Sequence, residues 1–317
     1  MKRELKDYGL ITLKGIGMGA ADVIPGVSGG TIAFITGIYE ELLSSIKGLP
    51  VALKVLISSK FNIKIFWKEL NGNFLVALLL GIATSILSLA KLMTYLLVHY
   101  PVPVWSFFFG LILASVWFVL KDIDKWNVPR AVAMVLGIIA GYLITVISPS
   151  ETTNDLWFIF LSGVIAICAM ILPGISGSFI LLLMGKYTYI LTALTDVNIP
   201  VILVFASGAI IGIISFSHFL SWLLKNYNGL TVAFLAGIMF GSLNKIWPWK
   251  QTVESTVNAQ GETVSLLEKN VLPGTYSELT GQPSLILYAV IMIIVGFSII
   301  FIIDMAAKRL KQIREKQ

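Results

Sequence analysis

Charge is scarce in this chain. Lys, Arg, Asp and Glu make up 13% of its 317 residues, about half the share of an ordinary soluble domain. So little charge cannot cover a folded surface in water, which excludes secreted, cytosolic and disordered proteins. Cysteine is nearly missing: Cys168 stands alone inside an apolar run, so there is no disulfide framework and no cysteine-built metal site. Two histidines, His99 and His218, are too few for a His-rich centre. Walker, H-E-x-x-H and G-x-S-x-G sequences are all absent, which argues against ATP-driven pumping and zinc proteolysis. No cofactor and no metal are expected. The opening MKRELKDYGLITLKG mixes acids with bases and lacks a small-residue cleavage site, so it does not read as a removable signal peptide.

What the chain has instead is apolar length: 57% of its residues are hydrophobic and the mean hydropathy is +0.89. It reads as an all-α polytopic membrane protein. Six runs, 74–98, 104–120, 131–147, 199–224, 229–243 and 285–303, have the character of spans. Two further stretches do not. Residues 10–46 carry Asp22 and then PGVSGG, and the 29-residue run 156–184 is broken by PGISGS. Proline removes a helix donor and glycine loosens the backbone, so each stretch is a kinked span or a hairpin that enters and leaves on one side.

Counting basic residues separates the two. With both stretches re-entrant and the N-terminus cytosolic, eighteen Lys and Arg lie inside against four outside; with both spanning, the tally is ten against twelve. The positive-inside rule selects the re-entrant arrangement, with both termini cytoplasmic. The formal net charge of +6 then faces anionic lipid rather than nucleic acid.

The chain also repeats itself. At an offset of 148, Gly15, Pro25, Gly26, Ser28, Gly29, Gly37 and Tyr39 meet Gly163, Pro173, Gly174, Ser176, Gly177, Gly185 and Tyr187. At 127, Gly81, Ser88, Tyr100, Phe107 and Gly110 meet Gly208, Ser215, Tyr227, Phe234 and Gly237. Two inverted repeats are expected, because one hairpin plus three spans turns the second copy over. The first, 1–148, holds hairpin 10–46, a basic interfacial segment 47–72 and three spans. The second, 149–317, holds hairpin 156–194, three spans and a polar external loop at 248–283. Inverted repeats with broken helices are the architecture of alternating-access transporters.

Candidate binding residues cluster at the hairpin tips: Pro25, Gly26, Ser28, Gly29, Gly30 and Thr31, then Pro173, Gly174, Ser176, Gly177 and Ser178. Free N–H groups at a helix start, small side chains and hydroxyl donors suit an anion, phosphate above all. The plainer reading is a pair of tight turns with serine caps. Asp22 is a carboxylate in an apolar bundle, which points either to charge coupling or to a bond that satisfies a tip amide. Glu40 and Glu41 read as a solvated face. Lys91 and His218, matched at the 127 offset, are candidates for phosphate contact or proton coupling; a snorkelling lysine and a histidine bonded to a nearby serine explain them equally well.

The stretch GMGAADVIPGVSGGTIAFITGIYEEL, with its echo AICAMILPGISGSFILLLMGKY, resembles the bacterial polyprenyl-phosphate transporter family, formerly a domain of unknown function. The resemblance covers essentially the whole chain. It implies a cell-membrane flippase that returns undecaprenyl phosphate, the lipid carrier of cell-wall synthesis, from the outer to the cytoplasmic leaflet, with the quoted tip residues and Asp22 carried over. Moving an anionic head group inward works against the membrane potential by about 2.3 kcal/mol per charge per 100 mV, so a coupling proton or sodium ion is expected unless consumption of the lipid inside supplies the gradient. A transporter of soluble anions, and less readily an enzyme acting on polyprenyl (pyro)phosphate, remain open at this point.

Overall fold

The structure is a computed structural model, and it describes residues 3–23, 27–59, 61–121, 123, 125–149, 152–257 and 263–315. In chain order the first half holds α1 (Leu5–Asp22), α2 (Gly29–Ile35), α3 (Tyr39–Lys47), α4 (Leu49–Ser58), α5 (Ile63–Glu69), α6 (Gly72–His99), α7 (Pro101–Lys121) and α8 (Val128–Val146). The second half holds α9 (Leu156–Ile171), α10 (Gly177–Leu183), α11 (Tyr187–Thr195), α12 (Ile199–Asn226), α13 (Asn228–Ser242), β1 (Lys250–Val257), β2 (Thr263–Asn270), α14 (Pro273–Thr280) and α15 (Ile286–Glu315).

The protein is a polytopic membrane protein. Among the described residues, five helices are long and apolar enough to cross a bilayer: Gly72–Leu89, Pro101–Lys121, Val128–Val146, Ile199–Asn226 and Asn228–Ile246. Ile286–Ile302 is a shorter apolar helix, and α10 and α11 together pass as one broken segment bent by 109°. A helix stands at each of the six expected spans.

Local chemistry explains the element boundaries. Asn127 and Asn198 accept a backbone N–H in the first turns of α8 and α12, each followed by proline where its missing donor is harmless. The short helices α2 and α10 end alike: Gly37 and Gly185 adopt left-handed φ of 71° and 63°. Beyond them Ile38 N donates to Ala33 O, and Lys186 N to Leu181 O. This is the six-to-one closure that glycine permits at a helix end. The bounds of α2 and α3 recur in α10 and α11 148 residues later, and those of α6 recur in α12 127 residues later at the same 28-residue length.

The chain divides into two compact units, each drawing on both halves. The first comprises 1–93 and 149–231. Within it α1 lies against α6 through Gly15 and Gly81, and α9 against α12 through Gly163 and Gly208. A Cβ on any of the four would fall 2.1–2.3 Å from a carbonyl oxygen of the facing helix. Small residues let membrane helices pack backbone to backbone, where dispersion rather than water exclusion holds them. On the polar end, Arg3 makes two 2.6 Å bonds to Glu41, which also accepts from Asn71 Nδ2 at 2.7 Å. Glu41 thus joins α1, α3 and the start of α6, and is not the solvated face expected from sequence. Segment 47–72 folds as α4 and α5, with Ile57, Phe61, Ile63 and Trp67 exposed among its lysines, as an interfacial segment requires.

The second unit comprises 94–148 and 232–317. Here α7 packs on α15 and α13 on α8, again by close glycine contacts: Gly110 against Ile293, and Gly237 against Met134 and Gly137. The polar loop at 248–283 is not irregular. β1 and β2 pair antiparallel with Lys250 opposite Asn270, and Trp247 Nε1 and Trp249 Nε1 donate to Val271 O and Ser284 O at its base.

Burial pushes the Lys250 ammonium down to about 8 from 10.5, with Glu268 opposing the shift. The native state therefore binds fewer protons than the unfolded chain between about pH 8 and 10.5, and stability rises with pH across that window. Lys250→Met is expected to raise thermal stability at neutral pH and to flatten that rise. Melting curves of detergent-solubilised protein against pH measure both, and parallel curves for the two proteins would refute the assignment.

Candidate functional site: the crossing hairpin tips

The tips of both hairpins lie in the first unit and touch. Ser28 begins α2: its Oγ accepts from Gly30 N at 3.1 Å and donates to Met170 O of the other hairpin at 3.2 Å. Thr31 Oγ1, one turn on, accepts from Gly174 N at 2.8 Å. Tyr39, only 2% exposed, donates its hydroxyl to Ile171 O at 2.9 Å. Three side chains of the first hairpin thus satisfy three backbone groups of the second, at the break where α9 has stopped and α10 has not begun. Membrane interiors offer no water to such groups, so the protein must supply their partners.

Glycine makes the crossing possible. A Cβ on Gly30 would stand 2.8 Å from Ile171 O, and one on Gly177 would stand 2.7 Å from Ala166 O. At Gly29 a Cβ would meet the Asp22 carboxylate at 2.5 Å. That carboxylate accepts from Gly29 N at 2.7 Å, so an acidic side chain occupies the positive end of α2. The sequence reading left the tip amides free and reserved the glycine space for a ligand. Gly29 N, Gly30 N and Gly174 N are instead bonded to Asp22, Ser28 and Thr31, and protein atoms fill the space beside the glycines.

The two tips are not equivalent. Met170 stands where the first hairpin has Asp22. Ser176 Oγ pairs only locally with Ser178 Oγ at 2.8 Å, and Ser178 is exposed. Tyr187, the counterpart of Tyr39, is 42% exposed. The second tip therefore keeps one exposed hydroxyl, Ser178, bonded to the buried Ser176, with no carboxylate at the Asp22 position, while the first is committed to holding the junction. Pro173 is buried within the same turn; Pro25 and Gly26 lie outside the described residues.

Two further candidates lie on α12 and α6. His218 is exposed on α12 and its Nδ1 faces Ile214 O of its own helix at 2.9 Å. Lys91 sits on α6, with its side chain outside the described residues. The residue that sequence reasoning noticed but did not assign is Tyr39. Its signal was the repeated G-x-Y after each tip, read then only as a repeat marker. Lys14 was not singled out by sequence: its Nζ donates to Thr36 O at 2.7 Å, at the end of α2.

Comparison with known proteins places the chain. Residues 18–264 match the model of the undecaprenyl phosphate translocase-like family. The chain belongs to that family. It is 48% identical over 297 residues to a polyprenyl-phosphate transporter of Vibrio cholerae, covering 94% of this chain and 96% of that one. It is 32% identical over 255 residues to a polyprenyl-phosphate transporter of Staphylococcus aureus, covering 74% and 85% respectively. No solved structure matches it. Family and relatives are transporters by name, not enzymes.

Removing the Thr31 hydroxyl leaves Gly174 N buried without an acceptor, a loss of about 1–3 kcal/mol. Thr31→Val should lower the melting temperature in detergent and Thr31→Ser should restore it. Equal melting of all three proteins would mean that the bond does not hold the junction.

Proposed function

We propose that the protein is a polyprenyl-phosphate transporter of the bacterial cell membrane. It returns undecaprenyl phosphate or a similar lipid from the outer to the cytoplasmic leaflet by alternating access, for reuse in envelope polysaccharide synthesis. The observation that carries this reading is the crossing of two broken helices, with their hydroxyls, amides and one carboxylate gathered at one junction between apolar helices. Polar groups so placed in a membrane protein mark a substrate path, and the relatives named polyprenyl-phosphate transporter supply the substrate.

Six spans and two re-entrant hairpins in two inverted repeats form the proposed frame. Its support is the recurrence of α2, α3 and α6 at the offsets found in the sequence, the like closure at Gly37 and Gly185, and the matched glycine packing of α1–α6 and α9–α12. The proposed phosphate contacts are the tip residues named above, and Ser176 and Ser178 lead because their hydroxyls bond no backbone group of the other hairpin. Both termini and segment 47–72 face the cytoplasm, and 248–283 faces outward. Cysteines at Ser58 and Glu278, tested with a membrane-impermeant reagent, should label from opposite sides of the cell membrane. Labelling of both from outside would refute this topology.

Asp22 is the proposed proton carrier. A phosphate head at the junction and the carboxylate at the end of α1 repel at close range, so lipid arrival favours the protonated acid and couples the two. Proteoliposomes with lipid phosphate in one leaflet test this directly. Asp22→Asn keeps an oxygen for Gly29 N at nearly constant shape; it should retain lipid-phosphate binding and lose the response of flipping to a pH gradient. Wild-type rate and wild-type pH response in that variant would make Asp22 a cap alone. Uptake of soluble phosphate, or its release from the lipid, in the same vesicles would replace the flippase by the other two classes.

A further inference from the structure

The offset of 148 residues pairs more than the tips. Behind each tip, a side chain from the first arm of the hairpin closes the end of its short helix. Lys14 Nζ donates to Thr36 O after α2 at 2.7 Å. Thr152 Oγ1 donates to Met184 O, the carbonyl 148 residues on, after α10 at 2.5 Å. Farther back, residues ahead of each hairpin's first helix are bonded to residues that follow its short helix. Arg3, ahead of α1, grips Glu41 on α3 through both terminal nitrogens. Lys186, ahead of α11, donates from Nζ to Thr152 O at 2.7 Å and to Asn154 Oδ1 at 2.6 Å, both ahead of α9.

These two clasps share a position and not a chemistry. Tyr189 stands where the first hairpin has Glu41, and Ile38 stands where the second has Lys186. The Tyr189 ring nevertheless faces the clasp cation, its centroid 5.7 Å from Lys186 Nζ. One closure made twice from different residues points to a need at that place in the fold rather than to an inherited side chain. The inner clasp is the looser of the two: the Arg3 and Glu41 side chains are 33% and 26% exposed, whereas Lys186 is 2% exposed. On α3 the clasp lies two residues from Tyr39, which holds Ile171 O of the other hairpin, so one short helix joins the clasp to the tips.

We propose that the two clasps are the gates of the transporter. Arg3 with Glu41 closes the cytoplasmic approach to the tips, Lys186 with Thr152 and Asn154 closes the outer approach, and both are shut in this structure. The inference rests on the transport reading and the topology proposed above. A ligand shifts such a two-state element only by binding one state better, and the inner gate meets that condition. A phosphate offers a guanidinium the same paired oxygens as a carboxylate. A head group that reaches Arg3 therefore displaces Glu41 and opens its own exit.

The test uses the full chain carrying Cys168→Ser and a single reporter cysteine at Ser178, the exposed hydroxyl of the second tip, in membrane vesicles of either orientation. In Glu41→Gln, a membrane-impermeant maleimide should label the reporter about five-fold faster from the cytoplasmic face, the weight of a partly exposed ion pair. In Lys186→Met labelling should rise about ten-fold from the outer face, because two bonds to a buried charge are lost; Lys186→Arg, which keeps donors, should stay near wild type. Arg3→Glu should behave as Glu41→Gln does, and adding Glu41→Arg should restore the wild-type rate, a recovery that a misfolded protein would not show. An unchanged rate in either Glu41→Gln or Lys186→Met, or a rate that rises alike from both faces, overturns the proposal. Exchange of the two faces in both variants would invert the topology and keep the gates. If labelling shifts as expected while wild type moves no lipid phosphate in proteoliposomes, the transport reading fails and the gates stand.

Discussion

A backbone amide or carbonyl that is left unpaired in a dry interior sets the terms for this molecule. Breaking a helix at Pro-Gly frees several such groups at once, and the hydrocarbon region has nothing to offer them. The first unit answers by facing two breaks toward each other. Ser28, Thr31 and Tyr39 serve the groups exposed by the second break, and Asp22 and Ser28 serve those of the first. The helices around them approach through glycine because any larger residue would hold the breaks apart.

The same constraint shapes the asymmetry. Once one hairpin has given its hydroxyls to the other, it has few left for a ligand, and the recipient keeps its own. Ser176 and Ser178 bond each other, and Tyr187 stays on the surface where its twin is buried. A repeated motif has thus come to hold two different jobs, one of them structural, in a protein whose halves began with similar letters.

Much of this was legible in the residues themselves. The apolar helices at the six expected positions follow from apolar length, and the two breaks follow from Pro-Gly within such runs. The starts of α2 and α10 were implied by the Ser-Gly run after each Pro-Gly. What the sequence could not disclose were pairings between residues more than a hundred positions apart, such as Thr31 with Gly174. The free tip amides were therefore a misreading: local pattern shows a donor but not its distant acceptor. The β-hairpin was missed for another reason. KQTVESTV and TVSLLEKN are rich in β-branched residues, a strand signal, but their polarity made them look like loop. His218 drew notice as a titratable residue in a span, and the structure adds that it is exposed with its ring against its own helix.

The bonds that cross between the hairpins form together or not at all. Pulling the tips apart would strand Met170 O, Ile171 O and Gly174 N at once, on the order of several kcal/mol at about 1–3 for each group. A hinge located between the tips would meet that cost in every cycle. A motion that turns the two hairpins together leaves those bonds intact and avoids the cost.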